Sequence, residues 1–164
     1  MVENVVERSG QPMLYTLRPA SLDDFEFIHA LRISGLRDNV DQIWGWDDAD
    51  QLARFQRSFD PKQYQVLVAG GHDVGAVAID WMEDEAFLAD LEIMPEWRGR
   101  GLGTAVLRAL IAEAAARRLP VALQVLKGNP ARRLYERLGF LYIAETDTHH
   151  HMRTVPPAAA SRSQ

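Results

Sequence analysis

The 164 residues are 47% apolar and 25% charged, the composition of one globular domain rather than of a disordered chain. There is no cysteine, which removes disulfides, thiolate nucleophiles and thiolate metal sites from consideration. A net charge of -5 speaks against a nucleic-acid partner. No apolar run approaches the ~20 residues of a membrane span, and residues 1–8 lack the basic and apolar regions of a secretory signal. The expected setting is the cytoplasm, without a membrane partner.

In chain order, residues 1–12 read as a disordered leader and 13–18 as a strand, stopped at Pro19. Ser21 can cap a helix whose first turn carries Asp23 and Asp24 and whose apolar stripe is Phe25, Ile28, Leu31 and 33–36. A looser stretch is expected over 38–50, then a helix from about Asp48 to Phe59. Residues 64–69 and 74–81 flank a Gly70-Gly71-His72-Asp73 turn and read as a hairpin. A strand follows over 86–94, ended by Pro95. Leu102, Val106, Leu110 and Ala114 recur at helical spacing over 101–118. Residues 121–126 form a short apolar strand, 131–138 a short helix ending at Gly139, and 140–144 and 148–154 two last strands. Residues 156–164 read as a disordered tail. The whole predicts one α+β domain over 13–155.

Charge is unevenly spread. Residues 98–137 hold nine Arg/Lys against two acids, an excess of +7; the remainder holds nine basic and twenty-one acidic residues. Such polarity suits one region that handles an anion and another that tolerates a cation, although chance also produces it. Inside the basic stretch lies Arg98-Gly99-Arg100-Gly101-Leu102-Gly103-Thr104, between a strand and the long helix. A glycine-rich turn feeding a helix N-terminus aims several backbone N–H groups at one point and makes an anion site. By itself the pattern is better explained by a structural turn. It is not a P-loop, since no lysine follows the glycines. It is not the dinucleotide fingerprint either, since the glycines are spaced by two and no acid ends the next strand.

Arg98-x-x-Gly101-x-Gly103 resembles the acetyl-CoA signature of the GNAT N-acetyltransferases. Residues 129–140, Asn129-Pro130 through Leu134-Tyr135 to Gly139-Phe140, resemble that family's second hallmark about 30 residues downstream, with Asn129 one residue closer to Tyr135 than is commonest. The resemblance implies a central, mixed, mostly antiparallel sheet of six to seven strands, splayed in the middle and flanked by about four helices. It implies acetyl-CoA as cosubstrate and no metal. Ile93 and Met94 would offer backbone groups to the pantetheine arm. The amides of Arg100, Gly101, Leu102, Gly103 and Thr104 would hold the pyrophosphate, with Arg98, Gly99, Asn129, Arg132 and Tyr135 completing the cofactor site.

Acetyl transfer to an amine needs alignment, a route for the amine's proton and a proton for the departing sulfur. By resemblance Tyr135 donates to sulfur; it also reads as a core aromatic between Leu134 and Leu138. Gln124 stands where some members carry a glutamate base. The remaining carboxylates, Asp90 and Glu92, alternate with Leu91 and Ile93 and so share a strand face. Either serves as base, or both are polar residues on a half-solvated face and ordered water takes the proton. His149-His150-His151 alternate faces and have no acid at ligand spacing, so no metal is expected; His149 is the candidate to face the substrate. Trp44 and Trp46, among Asp38, Asp41, Asp47 and Asp48, fall where the family walls its acceptor site and suit a cationic amine, or pack a loop. The expected acceptor is a primary amine of a small molecule or peptide, in a chain compatible with homodimerisation. A non-catalytic acyl-CoA sensor and a plain nucleotide-binding domain are the competing readings.

Overall fold

The computed structural model describes residues 4–8, 11–44 and 47–155, with side chains over 15–35 and 47–155. The protein is of mixed α+β class, with four α-helices and eight strands among the described residues. Its internal contacts form two compact units, Met1–Ile79 with Ala89–Ala105 and Asp80–Leu88 with Val106–Gln164. Among the described residues no helix is long and apolar enough to cross a membrane.

The first unit carries β1 (Asn4–Arg8), β2 (Gln11–Pro19), β3 (Tyr64–Ala69), most of β4 (His72–Trp81) and the end of β5 (Ala86–Ile93), neighbours in that order. β1 to β4 are antiparallel, and β1 pairs from Asn4↔Tyr15 to Arg8↔Gln11. This strand stands where a disordered leader is expected, and it makes the sheet one strand larger than six to seven. Its polar content hides it in the sequence, but Val5 and Val6 are good strand formers. Pro12 is tolerated because β3 pairs only with residues 15–19 of β2, so Pro12 has a neighbour on one side alone.

α1 (Phe25–Trp44) runs seven residues into the stretch expected to be loose. No Gly or Pro lies between Gly35 and Gly45, so nothing stops it earlier. α2 (Asp48–Ser58) starts as expected, with the Asp47 carboxylate accepting from the N–H groups of Ala49 and Asp50. Arg18 bridges Asp24 and Asp73 at 2.7 Å each, tying the end of β2 to the start of α1 and of β4. Ile28, Leu31, Phe55, Tyr64, Ala76 and Ala78 form the core beneath the helices.

In the second unit, residues 86–88 of β5 pair in parallel with 121–123 of β6 (Val121–Leu126), and the register stops there. β6 is antiparallel to β8 (His149–Thr154), which is antiparallel to β7 (Phe140–Glu145). Along α3 (Leu102–Ala116), whose first four residues belong to the first unit, Val106, Leu107, Leu110 and Ala114 are buried, the stripe read from the spacing. α4 (Arg132–Arg137) leads through Gly139, at φ +89, into β7. The tail expected at 156–164 lies outside the described residues.

Candidate functional site

The chain leaves β5 through Met94 and a single 3-10 turn, Pro95–Trp97, before α3. Gly99 and Gly101 have φ of +71 and +85, a backbone that side-chain-bearing residues seldom adopt. At Gly99 a Cβ would meet nothing within 4 Å, so conformation and not space demands the glycine. Gly103 already lies in α3. The first bond of α3 runs from the Ala105 N–H to the Gly101 carbonyl, 3.0 Å. The N–H groups of Leu102, Gly103 and Thr104 therefore have no partner within the helix and meet its positive end.

The charged residues of the turn divide. The Arg98 guanidinium folds back: Nε donates to the Ile93 carbonyl at 2.7 Å and Nη2 to Ser34 Oγ at 3.2 Å. Arg100 lies over the Trp97 ring, 4.7 Å from its centre. Met94 donates its N–H to the Val74 carbonyl (2.8 Å) and accepts from Trp97 (2.9 Å). The strand-end groups of Ile93 and Met94 named for the pantetheine arm are thus engaged inside the protein.

β5 presents Asp90 and Glu92 toward α1, as the alternation predicts, but their environments differ. Asp90 is held by Arg32 Nη1 (2.5 Å) and by the Tyr64 hydroxyl (3.2 Å). Glu92 lies against the helix backbone, since a Cβ built on Gly35 would fall 2.0 Å from its Oε2. Burial, and then the neighbouring Asp90 charge, push the Glu92 carboxyl up to about 8, against the pull of Arg98 and Arg32. β4 is brought close on the other side, where a Cβ on Gly75 would lie 2.5 Å from the Glu92 carbonyl oxygen.

Arg32, Tyr64, Ser34 and Gly35 are the site residues that the sequence reading missed. Gly35 carried a signal, a lone glycine inside a helical pattern. The pairing of Arg32 with Asp90 spans 58 positions and left none.

In the second unit, Tyr135 is half-buried on α4 and packs edge-on against Phe140, ring centres 5.7 Å apart. Asn129 Oδ1 accepts from the Ala131 N–H (2.9 Å), which shapes the turn into α4. Arg132 pairs with Glu136 (2.8 Å) and approaches His150 Nε2 (3.2 Å). His149 Nδ1 lies 2.8 Å from the Thr148 hydroxyl, and burial lowers its pKa. Among the described residues no group of three or more His, Asp or Glu side chains is placed to hold a metal ion. Trp44 ends α1, its side chain outside the described residues, as is the whole of Trp46.

Residues 26–140 match the acetyltransferase (GNAT) family model. The chain is 33% identical over 141 residues to an L-methionine sulfoximine/L-methionine sulfone acetyltransferase of Pseudomonas paraeruginosa, covering 78% of this chain and 81% of the relative. Over 79 residues it is 35% identical to a Bacillus subtilis protein provisionally named a ribosomal protein bS18-alanine N-acetyltransferase, covering 46% of this chain and about half (52%) of that relative. Its fold is similar to that of the PaiA N-acetyltransferase of Thermoplasma acidophilum, solved in complex with coenzyme A. That likeness has a TM-score of 0.65 at 17% identity and covers 85% of this chain and 98% of the other.

Proposed function

The chain belongs to the GNAT acetyltransferase family, and on that footing we propose that it transfers acetyl from acetyl-CoA to a primary amine of a small molecule or peptide, by direct attack in a ternary complex. The observation that carries the proposal is Glu92, a buried carboxyl raised to about 8 and the penultimate residue of the strand that feeds the anion-binding turn. A group of that pKa is a competent general base at neutral to mildly alkaline pH.

Acetyl-CoA, when bound, supplies a thioester carbonyl, and a pyrophosphate and a 3′-phosphate for recognition. On the protein's side, the open N–H groups of 102–104 and the positive backbone angles of Gly99 and Gly101 fit a pyrophosphate. Arg100, exposed over Trp97, adds charge at the same turn. The amine nitrogen forms its bond to the acetyl carbon, the carbon–sulfur bond breaks, and the amine's proton passes to the Glu92 carboxylate. The Tyr135 hydroxyl is the proposed donor to the departing sulfur. Asp90 remains with Arg32 and holds the strand in place.

A free-thiol assay with acetyl-CoA and a panel of amines tests this reading, with L-methionine sulfone and an alanine-terminated peptide among them. Release of coenzyme A that depends on the amine, with an acetylated product by mass spectrometry, is the expected result. Tight acetyl-CoA binding with no product from any amine would leave an acyl-CoA-binding module in its place.

A further inference from the structure

A cavity of about 120 Å³ opens between α1 and α2, lined by His29, Arg32, Ile33, Gln51, Arg54, Phe55 and Ser58. That volume has room for a few heavy atoms. Its polar lining holds two arginines and no carboxylate, with His29, Gln51 and Ser58 beside them. Each arginine is anchored from outside the cavity by an acid on a single nitrogen: Arg32 through Nη1 to Asp90, and Arg54 through Nε to Asp50 at 2.6 Å. A guanidinium carries five N–H groups, so these anchors set its orientation without exhausting it. Arg32 is further fixed over the Phe55 ring, 5.3 Å from its centre. The second independent observation is His29, whose Nε2 is buried and has no hydrogen-bond partner, while its ring stacks on Phe25 and Phe55, which also stack on each other. A buried, unpartnered imidazole nitrogen beside two oriented guanidinium groups is unmet polar capacity.

We propose that this cavity takes a carboxylate of the acceptor, so that the acceptors are amino acids or other amines bearing a nearby free acid. A planar carboxylate matches the fork of a guanidinium, which binds it by two parallel bonds. Arg32 joins the cavity to the acidic pair on β5: it lines the first, and its Nη1 holds Asp90, two residues from Glu92. An acid anchored on Arg32 and Arg54 is thereby held by the same guanidinium that holds Asp90, on the strand of the proposed base. The inference rests on the acetyltransferase reading and gives it a substrate class.

The test compares matched triplets, each an L-amino acid, its carboxamide and its decarboxylated amine, with small, aliphatic and aromatic side chains. Initial rates are measured with acetyl-CoA, and binding is measured separately by thermal shift without it. The expected result is a preference of at least ~10-fold in kcat/KM for the acid, expressed mainly in KM. This runs against intrinsic reactivity, since the carboxamide's amine is less basic and more available at neutral pH. Arg54→Gln narrows the preference and Arg54→Lys keeps part of it. Equal or better use of the carboxamide or bare amine overturns the inference while leaving the transferase reading intact, as does an unchanged preference in Arg54→Gln. If no amine is acetylated, that reading falls by itself. Stabilisation by acids and not by carboxamides then still upholds the cavity's assignment, and its absence overturns it.

Discussion

At the 98–104 turn the backbone is the unusual feature. Gly99 and Gly101 hold angles that other residues resist, the first N–H groups of α3 have no partner inside the helix, and a carboxyl with a displaced pKa sits on the strand just before. In the 129–140 segment the side chains are already committed locally. Asn129 closes a turn, Arg132 pairs one helical turn ahead with Glu136, and Tyr135 packs on Phe140. Both regions match the family's pattern, and the first presents backbone N–H groups that its own helix does not use, where the second presents side chains with partners in the fold. Asn129, bonded two and three positions away, stabilises its own turn; the open N–H groups at the start of α3 suit a ligand.

Tyr135 offers the largest test of that contrast. If its hydroxyl protonates the leaving sulfur, its contribution is made in the transition state. Tyr135→Phe should then lower turnover by roughly 10²–10⁴-fold, with acetyl-CoA affinity and melting temperature nearly unchanged because the ring contact to Phe140 persists. Normal turnover in this variant would make the whole second region structural.

Gly101→Asp attacks the first region. The new side chain is forced into a positive φ, and its charge meets the proposed pyrophosphate site. The expected loss of acetyl-CoA affinity is about 3 kcal/mol, of the order of an uncompensated charge. Gly101→Ala separates the contributions, since it carries only the backbone strain of roughly 1–2 kcal/mol. Titration calorimetry and thermal denaturation read both, and undiminished affinity in a folded Gly101→Asp protein removes the anion site.

Glu92→Gln sharpens the comparison through pH. As a base, Glu92 is active when ionised, so wild-type turnover should rise as pH climbs through about 8. The Gln variant should be about 10²-fold slower at high pH and lack that inflection. Stability moves the opposite way. The folded carboxyl titrates well above the ordinary value of 4.5, so between these two values the native state binds more protons than the unfolded one. Wild-type stability therefore falls as pH rises from about 4.5 to about 8, and the penalty stays constant above that. Glu92→Gln escapes it and should be more stable above pH 8 by a few kcal/mol, at most roughly 5 at about 1.4 kcal/mol for each unit of the shift, with no gain near pH 4. A variant both slower and more stable is the mark of a charge kept for chemistry.

The difference between the regions also explains what could be read in advance. Spacing and punctuation revealed nearly every element: the stripe of Val106, Leu110 and Ala114, the hairpin at Gly70-Gly71, and the glycines of the turn. Those signals are local in sequence. The β1 strand escaped because its polar residues mask it and only the pairing with β2 reveals it, and α1 ran past its expected end because no breaker stands between Gly35 and Gly45. In the site, Asp90 and Glu92 read as equivalents, sharing a strand face. What separates them is distant, an arginine and a tyrosine on one and a helix glycine over the other. Chemistry set by contacts 26 and 58 positions away is absent from any motif.

The smallest expected effect belongs to Asn129, and it tests the structural side of the comparison. Its carboxamide oxygen accepts the Ala131 N–H at 2.9 Å, while its own N–H donates to the Leu126 carbonyl at 3.0 Å. Asn129→Ala removes only the first bond. It should therefore cost about 1 kcal/mol of stability, the usual worth of a side chain that satisfies an exposed helix-entry donor. Asn129→Asp keeps an acceptor at the same place and should restore most of that loss. Acetyl-CoA affinity should change less than twofold in either variant. If instead Asn129→Ala left the melting temperature alone and weakened acetyl-CoA binding tenfold, Asn129 would be a ligand contact. The second region would then share the cofactor role assigned to the turn.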